Sequence, residues 1–230
     1  MNWMEDLFSI QRFLADIPRL IPYFTVTLKI VAWAAISGSV LGIIIMLLRV
    51  WQIRGIQMFL RGYVSFMRGT PMLVQLLIAF YGLPGLLQAI GIPAARWDKL
   101  VFVCIAFSLN EGAFISEIFR SAILSIPVGQ LEAAYSIGLT RPQAFYHVLM
   151  PQSLRIALPA LGSDFIGLFQ GSSLAFLLGV VDIMGRAKSL GAASHHALEG
   201  YVFVALLFMA VSLLLRSIFF YLDKRLLYGR

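Results

Sequence analysis

Five long apolar runs decide what this chain can fold into. They cover roughly residues 21–48, 56–81, 97–123, 154–181 and 197–222. A helix needs about 20 mostly apolar residues to cross the hydrocarbon layer of a bilayer, and each run is long enough. Water is absent from that layer, so a spanning backbone must satisfy its own N–H and C=O groups, which a helix does. The expected class is therefore an all-α integral membrane protein with five transmembrane helices. Composition agrees. Of 230 residues, 60% are hydrophobic and 13% charged, which leaves too little polar surface for a soluble domain. The mean hydropathy is +0.87.

The positive charges set an expected orientation. Arg49, Arg54, Arg61 and Arg68 crowd the connection between the first two runs. Arg120, Arg141 and Arg155 surround the third connection, and Arg216, Lys224, Arg225 and Arg230 gather at the C-terminus. The basic residues of the opposite side are mixed with Glu5, Asp6, Asp16, Asp98 and Asp182. The C-terminus is expected in the cytoplasm and the N-terminus outside, as an odd number of spans requires. The net charge of +7 then serves topology rather than nucleic-acid binding. Residues 1–20 have neither a cationic leader nor an A-x-A site, so a cleaved signal peptide is not expected. Trp3, Leu7, Ile10, Leu14 and Ile17 recur at helical spacing there and suggest a helix on the membrane surface. The rest, 21–230, reads as one membrane domain. The single cysteine, Cys104, lies in an apolar run, allows no intrachain disulfide and reads as a small buried hydrophobe.

Between the third and fourth runs lies LEAAYSIGLTRPQAFYHVLMP, residues 131–151. It is too polar to span a bilayer and too patterned for a slack loop. Pro127 ends the preceding span. Glu132 is expected to begin a helical turn with Ala133 and Ala134, and Gly138 to stop it in a left-handed conformation. Thr140 can cap a second helix with Pro142 in its first turn. That helix carries Phe145 and Val148 and is expected to end before Pro151. The result is a helical hairpin, cytoplasmic by the charge argument.

This hairpin resembles the EAA loop of the membrane subunits of bacterial ABC importers. That pattern is EAA, three residues, Gly, nine residues, then I-x-L-P. Here it reads Glu132-Ala133-Ala134, Gly138, then Val148, Met150 and Pro151, with Val for Ile and Met for Leu. "RGTPMLVQL" at 68–76 and "ISEIFRSAILSIPVGQLEAA" at 115–134 resemble stretches of the polar-amino-acid permeases among them, and so does "GSSLA" at 171–175. The resemblance implies a type I importer fold with five spans (EAA loop 127–151) in the bacterial inner membrane. It implies a dimer of permease chains, identical or paralogous, in membrane lipid. A cytosolic ATPase dimer would dock on the hairpins through Glu132, Ala133, Ala134, Gly138 and Pro151, and an extracytoplasmic binding protein would deliver the amino acid. ATP and Mg would belong to the ATPase, with no cofactor and no catalytic residue on this chain. Consistently, no G-x-x-x-x-G-K-[ST] occurs in the sequence. Gln170-Gly171 stands where Lys-Asp is commoner. That departure resembles cystine and related sulfur-amino-acid permeases more than arginine or histidine ones.

Polar groups inside spans are costly and therefore candidates for function. Glu111 and Asn110 read either as substrate contacts or as interhelical hydrogen bonds, with Glu111 the better anion for an amino group. Asp164 shares a face with Leu168 and Gly171, followed by Ser172 and Ser173. A glycine beside serines can unwind a helix toward a cavity, or else make a close helix contact. Thr70 and Gln75 are further candidates, beside Pro71, which can kink the second span. Glu117 reads as a structural ion pair with Arg120 or Arg68. Two other functions bear comparison. An intramembrane serine protease would use Ser172 with His195 or His196, without the glycine-flanked serine motif of rhomboids. A channel or ion-coupled carrier would hold its own energy coupling and have no use for an ATPase-docking hairpin.

Overall fold

The structure, a computed structural model, describes residues 8–52 and 55–228. Trp3 and Leu7 of the expected surface helix, and Arg54 and Arg230 of the charge pattern, lie outside them. No strand occurs among the described residues. Five helices are long and apolar enough to cross a membrane.

Helix α1, Ile10–Val50, runs through the expected boundary at residue 20 without a break. At 1.5 Å per residue its 41 residues span about 60 Å, twice the hydrocarbon thickness. The second span departs from the expected 56–81. Thr70 and Pro71 are extended, and they divide it into α2, Gln57–Gly69, and α3, Met72–Ala89. Proline disfavours helix in the residue before it, so the chain breaks there rather than bends. Only α3 qualifies as a span; α2 is an amphipathic helix. A single turn at Ala94–Arg96 leads to α4, Lys99–Leu124, whose first turn is capped by Asp98 accepting the Leu100 N–H at 2.8 Å. The hairpin region comprises α5, Val128–Ser136, and the one-turn α6, Arg141–Ala144. A π turn at Phe145–Leu149 joins α6 directly to α7, Met150–Gly171. The helix tightens to 3-10 over Ser172–Leu178 and stops at Gly179, φ +78°. Helices α8, Ile183–Ser194, and α9, Leu198–Tyr228, complete the fold.

α4 is the centre of the bundle. Half of its spanning window is buried, against 6% for α9. It packs on α1 through glycines. A Cβ on Gly38 would sit 2.6 Å from the Glu111 Cβ, one on Gly42 2.7 Å from Ile115, and one on Gly112 2.8 Å from Leu41. Two glycines four apart on α1 thus let two backbones approach closely, as in membrane helix pairs generally. Four clusters hold the other elements to this pair, and one of them, Ile45, Leu60, Val64 and Ala113, seats α2. Ile30, Leu76, Val103, Phe107 and Leu168 gather α3 and α7. Met46, Ile115, Phe119, Phe145 and Ala157 gather the helix ends next to the hairpin. Leu20, Ile183, Ala187 and Val204 join α8 and α9 to α1.

Candidate functional site: the hairpin and the buried carboxyl pair

The hairpin begins earlier than expected. Pro127 precedes the first turn of α5, so Glu132 is mid-helix, and the favourable field at a helix start does not act on it. Gly138 does end α5 in the left-handed region, φ +84°. Its N–H donates to Tyr135 at 2.9 Å, and that of Leu139 donates to Ala134 at 3.1 Å, which closes the open carbonyls. Thr140 starts α6, and the Gln143 Oε1 accepts from both its N–H and its hydroxyl at 2.9 Å.

The second helix does not stop before Pro151. Proline removes one N–H from the ladder, and the helix widens ahead of it instead of ending, with the Met150 N–H donating to Phe145 O. The second arm of the hairpin is therefore the first part of one continuous rod, Arg141–Leu178, that becomes the fourth span. Ala134, Ala144 and Phe145 are buried, the last in the cluster of Met46, Ile115 and Phe119. Glu132, Ala133 and Gly138 are exposed, together with Val128, Tyr135 and Ile137. One side of the hairpin grips the bundle and the other offers apolar surface.

Inside the bundle, Glu111 of α4 and Asp164 of α7 come together at mid-span. Glu111 is 3% exposed, and the two carboxyls are close enough to act on each other electrostatically. Glu111 Oε1 and Asp164 Oδ2 are buried without a hydrogen-bond partner. Two carboxyls in one low-dielectric site need a positive partner, a cation or at the least a shared proton. Arg68 acts on Asp164 only at longer range and stacks on Phe114 at 5.5 Å. The pair can thus accept hydrogen bonds from an ammonium group.

Asn110, Gln75 and Thr70 form a different arrangement. Gln75 Nε2 donates to Met67 O at 2.7 Å, Thr70 O at 3.0 Å and Thr70 Oγ1 at 2.9 Å. Its Oε1 accepts from Asn110 Nδ2 at 2.8 Å. These groups satisfy the backbone opened at Pro71. Ser172 is buried and donates to Phe169 O at 2.6 Å, while half-buried Ser173 donates to Gln170 O at 2.7 Å. No hydrogen bond joins Ser172 to His195 or His196 among the described residues; His196 instead lies 3.4 Å from Arg12. Glu117 binds Arg49 at 2.8 Å, Arg68 at 3.7 Å and also Arg120, in line with the structural reading. On the opposite face of the bundle, Asp182 caps α8 by accepting the Gly185 N–H at 2.8 Å, and burial pushes its carboxyl above the usual carboxylate range.

Three features were missed by sequence reasoning: the Phe145 anchor, the role of Arg49, and the α1–α4 contact. The last had a signal, Gly38 and Gly42 at a spacing of four. Arg49 had none, because its partner lies 68 positions away.

Residues 38–228 match the family model of binding-protein-dependent transport system inner membrane components. The chain belongs to this family. It is 38% identical over 223 residues, 97% of its own length and 93% of the relative's, to the L-cystine transport system permease protein TcyL of Bacillus subtilis. It is 33% identical to the probable amino-acid ABC transporter permease protein PatM of Vibrio harveyi, covering 95% of this chain and 96% of that one. Its fold matches the crystal structure of an amino acid ABC transporter with histidines at a TM-score of 0.85 and 28% identity, over 95% of this chain and 99% of that one. The chain is accordingly a multi-pass permease subunit of an ABC transporter, non-catalytic, with ATP hydrolysis on a separate subunit. Neither the serine protease nor the self-contained carrier fits that membership.

Proposed function

We propose that this chain carries a polar amino acid, cystine or a related sulfur-containing one, from an extracytoplasmic binding protein into the cytoplasm. The observation that carries the site is the Glu111–Asp164 pair, with one unpartnered buried oxygen on each residue. It offers the substrate's amino group acceptors at mid-membrane, where an unpaired ammonium would be costly. Asn110, Thr70, Gln75, Ser172 and Ser173 support the path as its wall. Their side chains donate to backbone or to one another, and Thr70, Gln75 and Asn110 hold the α2–α3 break beside it. The sulfur amino acid is favoured by the Gln170-Gly171 pattern and by the likeness to TcyL.

The working unit contains a second permease chain, identical or paralogous, against α7 and α9. These helices frame an outward-open groove of about 1040 Å³ that includes Ser163, Gln170, Ser212 and Arg216. Ser163, Gln170 and Ser212 bond within the chain, but the Arg216 charge is costly against lipid tails and is better met by a protein partner. The exposed side of the hairpin, with Glu132, Ala133 and Gly138, seats a cytosolic ATPase that binds ATP and Mg, and Pro151 sets the π turn behind it. The arginines at the hairpin end of the bundle favour a cytoplasmic C-terminus and an external N-terminus.

The substrate is tested with the permease–ATPase complex in nanodiscs and its binding protein loaded in turn with L-cystine, L-arginine or L-glutamine. Cystine-loaded protein is expected to stimulate ATP hydrolysis most. Stimulation by the arginine or glutamine form with none by the cystine form would overturn the substrate reading.

A further inference from the structure

The hairpin end of the bundle holds a second polar pocket, which neither the carboxyl pair nor the hairpin surface uses. It encloses about 760 Å³ between the end of α1, the start of α2 and the end of α4, and Arg49, Gln52, Gln57, Arg61 and Arg120 line it. Among the described residues, its lining contains three guanidinium groups and no carboxylate. The adjacent acid, Glu117, is already held by Arg49, Arg68 and Arg120. Arg61 is exposed and has no hydrogen-bond or ion-pair partner among the described residues. The Gln57 amide is spent on the Leu48 carbonyl at 2.8 Å, which holds α2 against the end of α1 and fixes the pocket's shape.

The rim is apolar. Trp51 is 52% exposed, Phe59 73% and Met58 86%. A tryptophan at the end of a span marks the headgroup level, and the neighbouring apolar side chains mark the acyl side of it.

We propose that this pocket binds the phosphate of an anionic phospholipid in the cytosolic leaflet. The leaflet assignment rests on the orientation proposed above. Guanidinium groups match a phosphate in fork geometry, and basic pockets between spans on the cytoplasmic side suit anionic headgroups. Trp51, Met58 and Phe59 would then meet glycerol and acyl chains. The alternative occupant, an acidic face of the ATPase, would leave those exposed apolar side chains without a partner, and the hairpin already supplies an ATPase seat through Val128, Tyr135 and Ile137. A lipid phosphate here would clamp α1, α2 and α4 next to the Met46–Phe119–Phe145 cluster on which the hairpin stands.

The test uses the whole permease–ATPase complex, titrated with phosphatidylglycerol or phosphatidylcholine and read by native mass spectrometry. Phosphatidylglycerol is expected to be retained in preference to phosphatidylcholine. Arg61→Gln should weaken that retention about fivefold, the effect of one basic residue near an anionic surface. Arg96→Gln, at the other end of the bundle, should not change it. Equal retention of the two lipids, or unchanged phosphatidylglycerol retention in Arg61→Gln, overturns the proposal. Loss of the ATPase in Arg61→Gln with lipid retention intact also overturns it, in favour of a protein contact. A cysteine at Ser136 that an impermeant thiol reagent reaches in whole cells overturns the cytosolic placement, independently of the lipid result.

Discussion

Gly138→Val is expected to leave the permease folded in the membrane while ATP hydrolysis loses its link to uptake. The position has φ +84°, which penalises any L side chain by about 1–2 kcal/mol and a β-branched one most. No atom lies within 4 Å of where a Cβ would stand, so the cost is conformational rather than steric. Relief of that strain would turn the chain out of the left-handed region. The two bonds that close α5, from Gly138 and Leu139, would then be lost, and α5 would tilt relative to α6. Because α6 continues through the π turn into the fourth span, a tilted α5 presents the wrong surface to an ATPase while the span stays packed through Phe145. Substrate-stimulated ATPase rate and uptake, measured together in liposomes, should separate. Gly138→Asn should be milder, since asparagine tolerates the left-handed region. Glu132→Ala should also be milder, since its exposed carboxylate supports the contact and not the fold. Wild-type values of both rates in Gly138→Val would remove the hairpin from the coupling path.

Glu111→Gln and Asp164→Asn are each expected to raise the substrate concentration needed for half-maximal uptake by about tenfold. Loss of a charge-assisted hydrogen bond typically costs roughly 1.5–3 kcal/mol. Each change is nearly isosteric, so the close α1–α4 contact at Gly38 should survive and the ATPase should still assemble. Uptake kinetics over a concentration series give the answer. Unchanged kinetics in both variants would take the pair out of the substrate path and leave it a structural contact between α4 and α7.

Much of this architecture was legible in the sequence because the bilayer leaves few choices. Five apolar runs gave five spanning helices, and the third and fifth, 97–123 and 197–222, match α4 and the start of α9 closely. The second run misled because its hydropathy continues across Thr70–Pro71, whereas the backbone restriction before a proline ends α2 there. The fourth was drawn too short. A helix that leaves the membrane becomes polar without ceasing to be helical, and Pro151 at the junction shifts the ladder to a π turn rather than ending it.

The hairpin showed a similar division. Gly138 and Thr140 were readable from residue type, since each does a local job. The start of α5 at Val128 was obscured by the EAA triplet, which draws attention to Glu132, four residues into the helix. Polar residues in spans stand out in the sequence, and the nearby partner Arg120 of Glu117 was readable, but partners on other helices mostly were not. That Gln75 and Asn110 close on each other, and that Glu111 and Asp164 face each other, follows from packing between elements 35 and 53 positions apart.

If this chain is the membrane path of an ATP-driven amino-acid importer, its function can be read directly from uptake of labelled L-cystine into liposomes. The liposomes carry the permease with its ATPase, with binding protein outside and ATP and Mg inside. Uptake should need all three proteins and stop when the ATPase cannot hydrolyse ATP. Uptake by the permease alone, driven by an ion or proton gradient without ATP, would contradict that role.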